Sequence, residues 1–401
     1  GVMEVAGALG GVVAMAIITS VAAYAFATAG AHAKPRNYAL GVAAVMAVLL
    51  VATTVKNFAD ATMKDPAVNW GVVYDKWTAL SRILVEKYDG PPFGWGFSPR
   101  APLNQYHPQQ LKLSMDGAAA TVLTQFNGDP ASVDYLRYDV TNIAHYVRPN
   151  AAVLVVGVGG GHDILSALVF GQKSILGVEM NKVILDVLTR QAADFTGQLQ
   201  RRPNVKLVND EARSYIARLN DRFDIIQISL IDTWAATAAG AFVFSENTLY
   251  TREAWSTFLS RLTPTGVLSV SRWYLAANPA ETYRLASLAA ETLKERGVSD
   301  PRRHLLAMRS LRTFDPALPD GVVTLLVSPS PFTEADILWI RKLKTSLGFE
   351  ILLMPEYAKD TTLGTIADGR ADAAFLRSLP VNVTAPTDDS PFFFNMLRLN
   401  D

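Results

Sequence analysis

Residues 152–164 read AVLVVGVGGGHDI, an apolar run that breaks into four glycines within five positions and then meets His162 and Asp163. An apolar, β-branched run, a glycine turn and an amphipathic segment in succession predict strand, turn and helix, the opening of a doubly wound α/β sheet. Glycines let the backbone come close to a ligand, and the helix behind them aims its free N–H groups at it. Three ligand classes compete for such a turn: a phosphate, a dinucleotide and a sulfonium nucleoside. A triphosphate loop needs Gly-Lys-Ser/Thr after its glycines, and this turn runs into His162-Asp163 instead. The dinucleotide fingerprint needs a glycine where His162 stands, and Asp163 in the first helical turn repels a pyrophosphate. A cationic sulfonium nucleoside meets neither obstacle.

Downstream the pattern repeats. SILGVE is followed by NKVILDVLTRQAADF, VKLV by EARSYIARL, FDIIQISL by ENTLYTREAWSTFLSRL, and GVLSVSRW closes the series. Apolar strands alternating with amphipathic helices predict a mostly parallel, doubly wound α/β sheet. VVTLLVS, a helix opened by Thr333 with Asp336 in capping-box spacing, and FEILLMP extend it. Upstream, residues 70–125 are rich in aromatics, Pro and Gly. There LKLSMDGAAATVLTQ predicts a hairpin turning at Asp116-Gly117. The expected organisation is a helical hairpin at 1–56, a linker and small β region at 57–145, and a Rossmann-like catalytic domain with a C-terminal extension at 146–401.

The chain of 401 residues carries 37 basic and 37 acidic side chains, so nothing in its charge balance points to nucleic acid. With no cysteine and five scattered histidines it offers no disulfide, thiol nucleophile or metal-ligand spacing, and no metal is expected. Residues 5–33 and 37–55 are free of Asp, Glu, Lys and Arg. The second run spans about 28 Å as a helix, so both predict membrane crossings. Lys34 and Arg36, read as lying in the connecting loop, would put that loop in the cytoplasm by the positive-inside rule. A cytosolic nucleoside demands the opposite orientation. The nucleoside argument prevails, giving a membrane-anchored chain with the catalytic domain facing the cytoplasm.

Strand ends supply the remaining nucleoside contacts. Glu179 ends the second strand, where a carboxylate accepts both ribose hydroxyls, and Asp210 follows the third, within reach of an adenine amino group. Gly157–Asp163, Glu179, Asn209-Asp210 and FDIIQISLIDTW together resemble the cofactor half of the spermidine synthase (polyamine aminopropyltransferase) family. KWTALSRI, LSMDGAAAT, SENTLYTREAW, LLVSPSPFT and TDDSPFFFN resemble more closely its membrane-embedded, spermidine-synthase-like bacterial branch. The resemblance covers most of residues 70–400. It implies that Gly157, Gly159 and Gly161 form the nucleoside turn, that Glu179 binds ribose and that Asp210 faces adenine.

The departures from that family are chemical. Its turn carries, at the place of Gly160, an aspartate that grips the aminopropyl ammonium. Its proton-accepting aspartate after the fourth strand is here Ser229, in a site where no adjacent base is apparent, and its Tyr-His pair is Tyr138-Asp139. Each lost charge-assisted contact is worth about 1.5 to 3 kcal/mol where buried. The turn instead resembles the G-x-G-x-G-x-D form of methyltransferases that use S-adenosylmethionine. Methyl transfer to a small-molecule acceptor near the membrane, a lipid, quinone or amine, is therefore expected. Decarboxylated S-adenosylmethionine with aminopropyl transfer is the alternative, and a non-catalytic nucleoside-binding subunit of a membrane complex is a third reading; a homo-oligomer is also open. Asp232, Ser229 and Tyr138 are the catalytic candidates, with Trp234 beside Asp232 and Asp163 near the methionine amino group. His162 reads as a base or a local hydrogen-bonding group, and Asp388 and Asp389 as site carboxylates or, preferably, a turn anchoring three phenylalanines.

Overall fold

The computed structural model describes residues 2–30, 33–56, 71–78, 81–117, 119–231, 247–311 and 320–398. Their strands are β1 (Val72–Trp77), β2 (Arg82–Tyr88), β3 (Gln110–Met115), β4 (Ala119–Thr124), β5 (Ala152–Val156), β6 (Ser174–Glu179), β7 (Val205–Asn209), β8 (Phe223–Ser229), β9 (Leu262–Tyr274), β10 (Leu305–Leu311), β11 (Gly321–Val327), β12 (Glu350–Met354) and β13 (Tyr357–Ala358). The chain divides into two compact units, residues 1–88 with 111–120, and residues 89–110 with 121–401.

In the smaller unit, helices Val2–Ala29 and Ala33–Lys56 pack along one another. The windows Gly10–Ala29 and Ala33–Ala52 have mean hydropathies of 2.0 and 1.5 and are long and apolar enough to cross a membrane. Met15, Ile18, Phe26, Val45 and Val48 face outward, so the hairpin is apolar all round. Lys34 and Arg36 do not lie in a loop as expected; they occupy the first turn of the second helix, and His32 is outside the described residues. Pro35 permits this, because a first-turn residue has no helical acceptor for an N–H. Asp116 (φ 54°) and Gly117 (φ 67°) make the expected turn of left-handed residues between β3 and β4, and the sheet order is β1-β2-β3-β4. The Asp116 carboxylate accepts the Arg82 N–H at 2.8 Å, holding the turn against β2.

The larger unit is built on a nine-stranded sheet of order β13-β12-β10-β11-β9-β8-β5-β6-β7. β5 to β9 are parallel, and in chain order they run 3-2-1-4-5 across the sheet, the doubly wound arrangement with its switch point between β5 and β8. β11 is inserted antiparallel between β9 and β10. This is the doubly wound sheet expected from the alternation of strands and helices, in the class I methyltransferase-like order. Leu154, Ile226, Leu268, Trp255 and Phe258 are buried to within 1 % of their surface and form the centre of the core. The Thr333–Asp336 capping box forms as the spacing requires.

Three stretches depart from expectation. Glu246, where a helix is expected to open, lies outside the described residues, and among these the helix begins only at Arg252, because the Thr251 hydroxyl caps it at Ala254 and the Asn247 N–H is held by the Pro391 carbonyl. The helix after β6 is regular over Lys182–Asp186 and widens into a π turn at Val187–Gln191. Residues 89–110 and 121–145, assigned in sequence to the small β region, belong to the larger unit. Backbone bonds from Ser98 to Tyr138 and from Val140 to Gly96 tie those segments together.

Candidate active site

Because β5, β6, β7, β8 and β9 run in one direction, their carboxyl ends share an edge, which in open α/β sheets is where ligands bind. Along it stand the glycine turn after β5, Glu179 and Asn209 as register partners, and Ser229 opposite Ser271.

The turn needs its glycines. Gly157, Gly159 and Gly161 have φ of +80°, +52° and +86°, a region L side chains rarely adopt. Gly160 is required for another reason: a Cβ there would lie 2.0 Å from the carbonyl oxygen of Val122 in β4 and 2.5 Å from its carbon. Backbone therefore closes the place where the resembled family carries its aspartate.

Glu179 is buried and turned onto the turn itself. Its Oε2 accepts the Gly159 N–H at 3.1 Å and its Oε1 accepts the Asn181 N–H at 2.8 Å. Burial raises its pKa, opposed by the backbone N–H groups of Asn181, Gly159, Val158 and Met180. Glu179 stands at the strand end from which a carboxylate would meet ribose hydroxyls. Asp210 lies beside it, its own N–H donating to the Glu179 carbonyl at 3.2 Å, but its carboxylate is occupied by Arg218 at 2.6 Å and the Glu211 N–H at 2.8 Å.

The first turn of helix His162–Val169 brings three ionisable groups together. Asp139, fully buried, accepts the Trp95 N–H at 2.7 Å, the Gly96 N–H, and both the N–H and hydroxyl of Thr141 at 3.0 Å. His162 Nε2 lies 4.0 Å from Asp139 Oδ2 and has no hydrogen-bond partner among the described residues. Burial lowers the His162 pKa, with Asp139 opposing, so the ring is held toward neutrality. Asp163, 6 % exposed, has its pKa pushed up to about 7 by burial, with the Ser229 hydroxyl pulling down and Asp139 adding to the rise. Its Oδ1 is unpartnered among the described residues. A carboxyl poised near neutrality is suited to accept a proton.

Ser229 thus has an adjacent base, contrary to the reading of the sequence alone: the carboxyl comes from the neighbouring helix start rather than from the strand. Tyr138 is half-buried, with Tyr106 and Tyr146 as electrostatic neighbours, while the next residue, Asp139, reaches the glycine-turn helix. Asp232 and Trp234 lie outside the described residues. Asp388 receives both Arg213 terminal nitrogens and the Thr251 hydroxyl, and Asp389 is exposed. They make the turn that seats Phe393 on Tyr250, ring centroids 4.6 Å apart. Sequence reading also missed an aromatic wall: Phe93 stands edge-on to His162 at 5.9 Å, Trp95 to Phe93 at 5.0 Å, and Trp273 to Trp95 at 6.0 Å.

No family model and no curated protein matches this chain. Among solved structures it is similar to a spermidine synthase in complex with the transition-state analogue AdoDATO, at 14 % identity and TM-score 0.43 over 74 % of this chain and 84 % of that one. It is also similar to the spermidine synthase from Thermotoga maritima, at 13 %, 0.44 and the same two coverages. A probable spermidine synthase from Corynebacterium glutamicum ATCC 13032 is 17 % identical, with TM-score 0.47 over 75 % and 94 %.

Proposed function

We propose that this chain is a membrane-anchored, S-adenosylmethionine-dependent transferase that moves a methyl group to a small acceptor near the membrane. The observation that carries this reading is the closure of position 160 by the Val122 carbonyl. With no carboxylate at that place, position 160 itself offers no grip to an aminopropyl ammonium and no repulsion to the carboxylate of a methionine tail. The residues fit the nucleoside: a turn of three left-handed glycines for close approach, and Glu179 for the ribose hydroxyls. When bound, S-adenosylmethionine supplies an electrophilic methyl on a sulfonium that leaves as a neutral thioether. The chain's part is positioning, exclusion of water by buried Asp139, His162 and Asp163, and acceptance of the acceptor's proton at Asp163. Neutral His162 is suited to hydrogen-bond the acceptor rather than to repel a cation. The outward apolar hairpin supports anchoring in a bacterial inner membrane, with the larger unit on the cytoplasmic side where the nucleoside is made.

A second reading, aminopropyl transfer from decarboxylated S-adenosylmethionine, draws on one observation: Asp163 beside Ser229 can take the proton that the missing strand-end aspartate would take. Mass spectrometry of the nucleoside product separates the readings. Detergent-purified protein is incubated with native membrane extract and either donor. S-adenosylhomocysteine is the expected product. Methylthioadenosine from the decarboxylated donor overturns methyl transfer in favour of the second reading, and binding without turnover favours a non-catalytic subunit.

A further inference from the structure

Gln227 is a fully buried amide in the middle of the apolar strand FDIIQIS, and neither cofactor contact nor chemistry accounts for it. Its neighbours form a continuous line. Gln172 Nε2 meets His145 Nδ1 at 3.0 Å, His145 Nε2 meets Gln227 Oε1 at 3.0 Å, and Gln227 Nε2 meets Ser229 Oγ at 3.2 Å. The Ser229 hydroxyl is in turn the hydrogen-bonding neighbour that pulls the Asp163 pKa down against burial.

Backbone groups determine which way every bond in this line points. The Gln172 carbonyl accepts the Ala151 N–H, and its Nε2 also donates to the Arg148 carbonyl at 3.1 Å. Reversing the amide would set N–H against N–H and oxygen against oxygen. Gln172 Nε2 is therefore the donor toward His145 Nδ1. Burial lowers the His145 pKa to about 4, so the ring is neutral, and its proton sits on Nε2 and goes to Gln227 Oε1. Gln227 Nε2 faces the Thr141 carbonyl at 3.3 Å and Asn142 Oδ1 at 3.4 Å, which again forbid reversal, and Ser229 Oγ at 3.2 Å is the nearest of its three acceptors, so this nitrogen donates to Ser229 Oγ. With Oγ accepting there, the Ser229 proton is left for Asp163.

We propose that Gln172, His145 and Gln227 are positioning residues whose one-way chain of hydrogen bonds holds the Ser229 hydroxyl as a donor to Asp163. The inference rests on Asp163 being the site's proton acceptor. It assigns the buried polar line a task that packing alone does not require, since an apolar residue in the middle of β8 would need no partner. The ionisable groups around Asp163 are Asp139 from the segment before helix 143–147, His162 on its own helix, Glu179 at the end of β6, and His145 through the relay. Asp134 and Arg137, on the 130–138 segment packed against this helix, pair with each other at 2.6 Å, and Arg137 also reaches the Val169 carbonyl at the helix's far end.

The test titrates Asp163 directly in the intact protein in detergent, without nucleoside. The carboxyl absorbance is followed by infrared difference spectroscopy against the Asp163→Asn protein from pH 5 to 9. Ser229→Ala should move the midpoint up by about one to two pH units, the worth of a hydrogen bond to a charged group. Ser229→Thr, which keeps the hydroxyl, should restore it. Gln227→Met should move it in the same direction by a smaller amount. The isosteric Gln227→Glu, which is expected to fold even where Met is not tolerated, should do the same once ionised, because Ser229 then turns toward the new carboxylate. A midpoint unchanged in both Gln227 variants, with only thermal stability altered, overturns the relay. That outcome leaves methyl transfer untouched, and failure of turnover with S-adenosylmethionine leaves this titration untouched.

Discussion

Replacing Gly160 by aspartate puts back the carboxylate of the resembled family, and the structure says that it cannot be accommodated. The Cβ alone would stand 2.0 Å from Val122 O, 2.5 Å from Val122 C and 3.1 Å from Leu123 N, where Cβ atoms are essentially never found below 3.0 Å. Relief requires the turn and β4 to separate by at least 1 Å at the first of these contacts. Both sides are backbone, so no side-chain rotation absorbs the overlap. Overpacking of this kind costs about 1 to 3 kcal/mol, and the charge adds the desolvation of an unpaired carboxylate. If the cost falls on the turn that meets the nucleoside, affinity drops roughly 5- to 150-fold. The assay is calorimetric binding of S-adenosylhomocysteine together with thermal unfolding. Gly160→Ala separates the effect of volume from that of charge. Both variants should bind more weakly and melt lower, and neither should turn over decarboxylated S-adenosylmethionine. A Gly160→Asp protein with normal stability and affinity, or one that gains amine-dependent turnover of the decarboxylated donor, would refute the reasoning.

Three further expectations follow from the site and the hairpin. Glu179→Ala strips the acceptor from the Gly159 and Asn181 N–H groups and should weaken nucleoside binding about tenfold to a hundredfold, with Glu179→Gln milder, as read by the same calorimetry. Asp163 has an ordinary pKa of 3.8 and a folded one of about 7, so the folded state binds the extra proton between those values and stability falls as pH rises through that window. The loss is about 4 kcal/mol, so Asp163→Asn should melt higher than the parent at pH 8, with the gap closing toward pH 4. Equal gaps at the two ends would show that Asp163 is not held protonated by burial. Finally, the chain has no cysteine, so Ser346→Cys on an exposed helical surface gives a clean topology probe. With a cytoplasmic catalytic unit, an impermeant maleimide should label it only after the membrane is permeabilised; labelling of intact spheroplasts would reverse the orientation.

The central sheet was legible because its cause is local. Runs such as AVLVV and SILGVE are apolar on both faces, and the glycines after β5 break them where the chain must turn. The Asp116-Gly117 turn and the Thr333–Asp336 capping box were readable for the same reason. The buried relay was not, because His145 and Gln227 are 82 residues apart and neither is unusual in its own segment. One signal was available: glutamine inside FDIIQIS is a polar group in a strand buried on both faces, and such a group must find a partner. Asp163 was visible as a helix-start carboxylate, but its proton affinity depends first on burial and then on Ser229 and Asp139, all of which only the tertiary fold supplies. Pro35 offered a second signal, since its tolerance in a first helical turn allowed the second helix to begin before Lys34 and Arg36.

The seating of the C-terminal segment has a consequence for how the chain is made. Phe393 and Phe394 are inside the core, and the Arg284 guanidinium holds the carbonyls of Phe393 and Asn395 at 2.8 and 2.6 Å. β5, at the middle of the sheet, leaves the ribosome some 240 residues before those rings do. The apolar surface around Tyr250 therefore stays uncovered until Phe393 and Phe394, some 140 residues further along the chain, have emerged. Until that segment is seated the nascent unit exposes a sticky face that a chaperone is well placed to shield.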